Sequence, residues 1–179
     1  PDVQVQTIQR LKERPKFIAM DTMNFWMDVA MDGLKEVLKM VDMIILNDEE
    51  ARQLTGEYSL MKAAKSIMDM GPSNVVIKKG EHGALLFNSE EVFFCPAMPL
   101  EEVFDPTGAG DTFAGGLMGY VASTNDTSFE NLKRGVVQGS AMASFCVEKF
   151  GTERLIDLST SDFNTRIDEF VKLVKFDIK

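Results

Sequence analysis

Apolar residues in the first half of the chain follow two different spacings. Apolar runs at 16–20 and 42–46 predict strands that end at Asp21 and Asn47, and the run at 74–78 is typical of a strand buried on both faces. Between the first two runs, apolar residues recur at the three-and-four spacing of an amphipathic helix: Trp26, Ala30, Leu34, Val37, Leu38 and Val41. These elements predict a βαβ unit with parallel strands.

The pattern then changes from strands to helices. A helix is predicted over 60–70, with Ser59 as its cap and Gly71 at its end, and short strands over 84–87 and 91–94 predict a hairpin. The last third of the chain predicts three helices, over 110–122, 129–147 and 162–174. This order predicts an α/β fold with a mostly parallel central sheet flanked by helices on both faces.

Polar residues follow three of the predicted strands. In open α/β sheets, ligands bind beyond the carboxyl ends of the strands, so we expect Asp21, Asn47, Lys78 and Gly80 to gather there. A lysine at the end of a buried strand needs a partner for its charge, and a phosphate is the natural one. Lys79 is expected to point to solvent.

Composition narrows the classes of function. The 179 residues, of which 45% are hydrophobic and 26% charged, are typical of one soluble globular domain. A net charge of −9 repels phosphate backbones, so no nucleic-acid partner is expected. A nucleotide site would need local positive potential from backbone amides, lysines or a metal ion. No apolar stretch approaches the ~20 residues that cross a bilayer, so no membrane association is expected.

Several individual residues have simple structural explanations. Cys95 and Cys146 are too few for a disulfide framework, and we interpret them as buried thiols in a reducing, cytoplasmic compartment. The first residues lack the pattern of a signal peptide. His82, the only histidine, is expected to be exposed in a turn. Core filling is expected of Trp26, Met20, Met23, Met27 and Met31.

The segment from Thr107 to Gly110 combines small residues with the start of a predicted helix. The first amides of a helix have no intrahelical partner, and the helix dipole adds roughly half a positive charge there. Gly108 and Gly110 can adopt positive φ and let the backbone approach an oxyanion closely. We interpret this segment as an anion-binding site.

Asp111, in the first turn of that helix, has two explanations. An acidic residue at this position can simply complement the helix dipole. A carboxylate beside an anion site also repels the bound anion, and this repulsion makes sense if the carboxylate orients and deprotonates an attacking hydroxyl. The second explanation predicts phosphoryl transfer, in which amides stabilise the transferred group and Asp111 is the general base.

Two other glycine-rich motifs fail on spacing. A P-loop requires Lys and then Ser or Thr after its second glycine, but Gly115 is followed by Gly116 and Leu117. A dinucleotide fingerprint requires glycine at position 113, which is Phe113. Gly115 and Gly116 are therefore interpreted as close-packing positions, because glycine inside a helix costs about 1 kcal/mol relative to alanine.

Residues 105–113, Asp-Pro-Thr-Gly-Ala-Gly-Asp-Thr-Phe, resemble the second signature of the ribokinase-like (PfkB) carbohydrate kinases. The resemblance implies a ribokinase-like fold and ATP-dependent transfer of the γ-phosphate to a hydroxyl of a sugar or sugar-like molecule. It implies that Gly108, Ala109 and Gly110 form the anion hole for the γ-phosphate, and that Asp111 is the base.

The resemblance implies further contacts with the nucleotide and its metal ion. The spacing of Asn47 and Glu50 is explained by a helix capping box, and it also resembles the family's N-x-x-E motif, which organises Mg²⁺ and its waters. Residues 21–24 resemble the family's D-x-N-x-R pattern only in part. Nucleotide contacts are implied for five further residues: Lys78, Gly80, Gly83, Thr107 and Ser140. The small residues around Ser140 are equally explained by close helix packing.

The resemblance extends over residues 1–179 and corresponds to the C-terminal portion of a family member, its nucleotide-binding and catalytic-base part. We therefore expect the first strands, the sugar-contacting residues and the lid of such a kinase to be absent from this chain. We also allow for a homodimer. Three alternatives stay open: a nucleoside acceptor, a nucleotide-binding fragment that is inactive without its N-terminal part, and a structural α/β domain.

Overall fold

The computed structural model describes residues 1–177, which form two compact units. The first unit comprises residues 1–80 and 85–94, and the second comprises residues 81–84 and the described chain from Cys95 onward. Five strands form one sheet in the order β1-β2-β3-β4-β5. Their bounds are Ala19–Asp21 (β1), Met43–Asn47 (β2), Asn74–Lys78 (β3), Ala84–Phe87 (β4) and Val92–Cys95 (β5). The assignment of residues 1–179 to the C-terminal portion of one kinase domain remains a prediction.

The sheet is mixed. β1 pairs with β2 in parallel, and β2 pairs with β3 in parallel. Only residues 79–83 connect β3 to β4, and only residues 88–91 connect β4 to β5. Links this short exclude a parallel crossover, so these neighbours run antiparallel. The predicted α/β fold class is confirmed, with the parallel part of the sheet at β1, β2 and β3.

The central strands are buried on both faces, as the sequence predicted for 74–78. Ile44, Leu46 and Ile77 belong to the main apolar core of the first unit. Met43 and Ile45 alternate with them on the opposite face of β2 and are also at most 1% exposed. A strand without a solvent-facing side chain has no polar alternation, and this explains its continuous apolar sequence.

Five helices belong to the first unit: α1 (Asp2–Gln9), α2 (Asn24–Val29), α3 (Met31–Leu38), α4 (Asp48–Thr55) and α5 (Leu60–Met68). The single helix predicted between β1 and β2 is wrong, because Ala30 leaves helical geometry at φ −148° and divides it into α2 and α3. The break separates α2 from the apolar stripe of α3. As a result Trp26 is 36% and Met23 is 50% exposed, whereas Met20 and Met27 are buried as predicted.

Element bounds elsewhere differ slightly from the predictions. β1 begins at Ala19, not at residue 16, and it includes Asp21. Ser59 is the N-cap of α5, but its side chain makes no capping hydrogen bond. The hairpin turn is closed by Asn88, whose side-chain oxygen accepts from the amides of Glu90 and Glu91.

The second unit is helical, with α6 (Ala109–Thr124), α7 (Phe129–Cys146), the unpredicted α8 (Glu153–Ile156) and α9 (Thr160–Val174). α6 and α7 approach closely where Gly116 faces Gly139. A Cβ on Gly139 would lie 2.6 Å from the carbonyl oxygen of Phe113, so only glycine fits. Both cysteines are buried free thiols, as predicted. Across residues 1–177, no helix is long and apolar enough to cross a membrane.

Gly115 and Gly116 differ although both were predicted to allow close packing. A Cβ on Gly116 would lie 2.9 Å from Cγ of Met142, whereas a Cβ on Gly115 would meet no atom within 4 Å. The prediction is confirmed for Gly116 and wrong for Gly115, because Gly115 lies on the exposed face of α6.

Alanine substitutions at these two positions should have opposite effects on stability. We expect Gly115→Ala to raise the free energy of unfolding by about 0.5–1 kcal/mol, because alanine loses less backbone freedom on folding. Gly116→Ala should lower it by about 1–3 kcal/mol through overpacking against α7. Urea denaturation of both variants measures the difference, and equal effects would contradict the described helix contact.

Candidate functional site

The loop that precedes α6 turns sharply at Gly108. This residue is the N-cap of α6 and adopts a left-handed conformation, with φ 80°. A Cβ here would have only the sulfur of Cys146 nearby, at 4.0 Å, so conformation rather than space favours glycine. Within the described residues no side chain caps α6. The start of α6 therefore keeps its backbone donors for another acceptor.

Most backbone amides at this helix start are unpaired. Ala109 donates to the carbonyl oxygen of Pro106 (3.1 Å), which closes the turn. Within residues 1–177, three neighbouring amides have no hydrogen-bond acceptor: those of Gly108, Gly110 and Asp111. Free donors at the positive end of the helix dipole are suited to binding an anion. The sequence reasoning did not foresee that the Ala109 amide is engaged within the turn.

The carboxylate of Asp111 is exposed in the first turn of α6 and, within residues 1–177, makes no hydrogen bond or ion pair. It is therefore accessible to a substrate hydroxyl. Asp105, by contrast, accepts from the amide of Thr107 (2.9 Å). Hydrogen bonds from Thr107 hold the pKa of Asp105 below its usual range, so this carboxylate is ionised and orders the loop. Thr107 is itself exposed at the turn.

The end of α7 supports the same loop within the second unit. The amide of Phe104 donates to the carbonyl oxygen of Val147 (2.9 Å), and the thiol of Cys146 lies 3.8 Å from the carbonyl oxygen of Thr107. These contacts join the residues before the turn to the C-terminal end of a buried helix. They explain how an irregular loop with exposed residues can hold one conformation.

Ser140 and Gly83 have structural contacts in the second unit. Ser140 is buried, and its hydroxyl accepts from the thiol of Cys95 at 3.6 Å. Burial raises the pKa of Cys95, so the thiol stays protonated and can donate. Gly83 has φ 91°, and a Cβ on it would lie 2.1 Å from the carbonyl oxygen of Cys95. Gly83 is thus required by the backbone, whatever else it contacts.

In the first unit, three polar side chains lie at the carboxyl ends of β1, β2 and β3. Asn47 pairs in register with Lys78, and the ammonium group of Lys78 lies 2.9 Å from Oδ2 of Asp21. The predicted gathering of Asp21, Asn47 and Lys78 is confirmed. In this structure Asp21 is the partner of Lys78, and the predicted contact of Lys78 with a phosphate remains a prediction. The sequence indicated this pair only by placing oppositely charged residues at the ends of β1 and β3.

Asn47 and Glu50 form the predicted capping box at the start of α4. The side-chain oxygen of Asn47 accepts from the amide of Glu50, and Oε2 of Glu50 accepts from the amide of Asn47, both at 2.8 Å. Glu50 is only 6% exposed. Burial raises its pKa, and the neighbouring charge of Asp21 acts in the same direction, against the opposing effects of the Asn47 hydrogen bond and Lys78.

Within the described part of the chain, one oxygen of the Glu50 carboxylate remains free to contact the water of a metal ion. Across residues 1–177, no group of three or more His, Cys, Asp or Glu side chains is arranged to hold a metal ion. Oε1 of Glu50 has no hydrogen-bond partner among the described residues, and Mg²⁺ is commonly bound through water and one or two carboxylates. Asn47 and Glu50 therefore suit contacts to metal-bound water and do not form a protein cage.

The turn between β3 and β4 contains the two other predicted glycines. Gly80 begins a short 3₁₀ turn over Gly80–His82, with φ 56°, and a Cβ on it would meet no atom within 4 Å. Gly80 belongs to the first unit and Gly83 to the second. The side chain of His82 is 71% exposed, which confirms its prediction as an exposed turn residue.

Residues 2–158 match the pfkB family carbohydrate kinase profile. The chain belongs to this family of carbohydrate kinases, and the resemblance seen in residues 105–113 is confirmed. The predicted roles of the individual site residues remain predictions.

Sequence and structure comparisons agree with this assignment. The chain is 41% identical over 92 residues to a cytidine kinase of Thermococcus kodakarensis, which covers 50% of this chain and 33% of that protein. It is similar in structure to aminoimidazole riboside kinase from Salmonella enterica, solved with aminoimidazole riboside and an ATP analog. That match has a TM-score of 0.76 and 25% identity and covers 91% of this chain and 56% of the other.

Fructokinase from Vibrio cholerae O395 shares the fold, with a TM-score of 0.81 at 20% identity over 93% of this chain and 55% of that one. The ribokinase-like fold class is therefore confirmed. The chain spans 33% of the cytidine kinase and about half of each of these solved structures.

Proposed function

We propose that this protein is an ATP-dependent kinase that moves the γ-phosphate of ATP to a hydroxyl of a sugar or sugar-like small molecule. One observation carries the proposal: the long helix α6 starts with unpaired amides and an exposed carboxylate, Asp111, in its first turn. Membership of the pfkB family of carbohydrate kinases supports the same reaction.

In the proposed reaction, backbone amides bind the phosphoryl group and the side chain of Asp111 is the base. The free amides of Gly108, Gly110 and Asp111 bind the oxygens of the γ-phosphoryl group, and Ala109 shapes the turn through its bond to Pro106. The Asp111 carboxylate accepts the proton of the acceptor hydroxyl. The hydroxyl oxygen then bonds to phosphorus as the bond to the leaving ADP oxygen breaks. Stabilising charge on the transferred group is the main catalytic task in such reactions.

The nucleotide and its metal ion have their own proposed contacts. The nucleotide would be contacted by five residues: Lys78, Gly80, Gly83, Thr107 and Ser140. The waters of Mg²⁺ would be held by Asn47 and Glu50. When bound, Mg²⁺ would neutralise phosphate charge. The buried position of Glu50 and its spare oxygen support this role. The hydroxyl of Ser140 accepts from the thiol of Cys95, and its own hydrogen remains available as a donor.

The acceptor is the least constrained part of the proposal. The similar proteins include an aminoimidazole riboside kinase and a fructokinase, which favour a sugar or a riboside. The match to a cytidine kinase favours a nucleoside as the second candidate.

We further propose a cytoplasmic protein with no nucleic-acid or membrane partner and with a homodimer as an allowed assembly. The net charge of −9 supports the exclusion of nucleic acid.

Release of ADP from ATP and Mg²⁺ in the presence of single acceptors tests the proposal. The panel should contain ribose, fructose, cytidine and aminoimidazole riboside, with an acceptor-free reaction as the baseline. At least one acceptor should raise ADP release and yield a phosphate monoester. If ATP binds and no acceptor is phosphorylated, the chain is a nucleotide-binding fragment, inactive without its N-terminal part. A protein that does not bind ATP would contradict the kinase proposal.

A further inference from the structure

The carboxylate of Asp21 has both of its oxygens engaged. Oδ1 accepts from the amide of Thr22 at 2.7 Å, and Oδ2 accepts from the ammonium group of Lys78 at 2.9 Å. The side chains of Asp21 and Lys78 are 31% and 18% exposed. The pair is therefore partly shielded from water and reachable by a ligand, so its interaction is stronger than that of a surface pair.

This ion pair changes what Lys78 can do. A lysine whose charge is balanced by a carboxylate at 2.9 Å attracts a distant anion weakly, because the two fields cancel with distance. An anion that carries several charges can still compete for the ammonium group at short range, whereas a singly charged anion offers no more than Asp21 already supplies. The pair is thus suited to favour a polyphosphate over a singly charged anion.

The carboxylate of Asp21 balances the charge of Lys78 at the carboxyl end of β3. Without a partner, Lys78 would be an uncompensated charge at the end of a buried strand. Asp21 keeps it ordered until a stronger acceptor arrives.

We propose that Asp21 is a positioning residue that pairs with Lys78 in the absence of nucleotide, and that Lys78 exchanges this carboxylate for a phosphate of the incoming nucleoside triphosphate. The inference rests on the proposed function, because it takes ATP as the anion. It adds a competing acceptor for Lys78 within the protein, which sets the affinity for ATP and the selectivity against weakly charged anions.

Calorimetric titration with ATP in the presence of EDTA tests the exchange without any need for turnover. Asp21→Asn keeps the shape of the side chain and its bond to Thr22 but releases Lys78. We expect this variant to bind ATP about fivefold more tightly, at the low end of typical coupling between sites. Lys78→Met should bind several-fold more weakly than the wild type.

The double variant separates exchange from simple charge repulsion. If Asp21 acts through Lys78, Asp21→Asn should change ATP affinity by less than about twofold in the Lys78→Met background. A similar gain in both backgrounds, or weaker binding by Asp21→Asn alone, would overturn the proposal. Asp69→Asn is the matched control, since it removes the same charge from an exposed residue before the other end of β3.

Two further results are possible: the Asp21→Asn variant does not fold, or the wild-type protein does not bind ATP. If Asp21→Asn fails to fold by circular dichroism, Asp21→Ser is titrated in the same two backgrounds and judged by the same criterion. A wild-type protein that does not bind ATP contradicts the proposed function, whereas one that binds ATP without response to Asp21→Asn contradicts the exchange alone.

Discussion

Asp111→Asn should lower kcat by about 10²–10⁴-fold while the protein still binds ATP. The amide of asparagine has nearly the same shape as the carboxylate but cannot accept the proton of an acceptor hydroxyl. The unpaired backbone donors at the start of α6 are unchanged, and removal of a negative charge beside them favours the bound anion. Steady-state kinetics with the best acceptor, together with calorimetric ATP titration, measures both quantities.

Asp168→Asn is the matched control for this experiment. Asp168 is an exposed aspartate on α9 in the same unit, so its substitution removes one charge without touching the loop. We expect its kcat to equal that of the wild type. If Asp111 only complements the helix dipole, Asp111→Asn will keep its kcat and lose a little stability, and the assignment of a general base will be wrong.

Gly83→Ala should destabilise the protein by about 2–5 kcal/mol, a large fraction of the stability of a typical domain. Two effects add at this position. A Cβ would lie 2.1 Å from the carbonyl oxygen of Cys95, so the backbone must move, and alanine at φ 91° is strained by itself. Chemical denaturation followed by circular dichroism measures the free energy of unfolding.

Gly80→Ala separates the two effects. Gly80 also has positive φ, at 56°, but no atom lies within 4 Å of the added methyl group. We therefore expect a loss of only about 1–2 kcal/mol, from conformational strain alone. If Gly83→Ala is no worse than Gly80→Ala, the described contact between the turn and the end of β5 is wrong. Both glycines were first singled out as nucleotide contacts, and the comparison measures the part that is purely structural.

The loop at residues 105–113 could be predicted from sequence because its properties are local. The positive φ expected at Gly108 is seen in the structure, whereas Gly110 lies within α6 and does not have one. The capping box of Asn47 and Glu50 was predicted for the same reason. Local hydrogen bonds between residues three apart leave a readable spacing in the sequence.

The sequence predicted that Asp21 and Lys78 lie at the same edge of the sheet, but it did not predict their ion pair, because the two residues are 57 positions apart along the chain. The sequence indicated that the lysine needs a partner, but Asp21 becomes available only through the parallel pairing of β1, β2 and β3. Gly115 and Gly116 are adjacent in sequence, and only the position of α7 determines which of them is crowded. The exposure of Trp26 depends in the same way on the break at Ala30.

The sequence by itself indicated the family through the motif at residues 105–113. It also indicated the α/β order of elements and the turn before α6, since hydrophobic periodicity and short-range backbone bonding are encoded within a few residues. Only the tertiary structure decided that Lys78 meets Asp21, that Ser140 meets Cys95 and that Gly83 faces the end of β5. Those contacts join distant segments, and their energies depend on the strand register and helix packing that the whole chain sets.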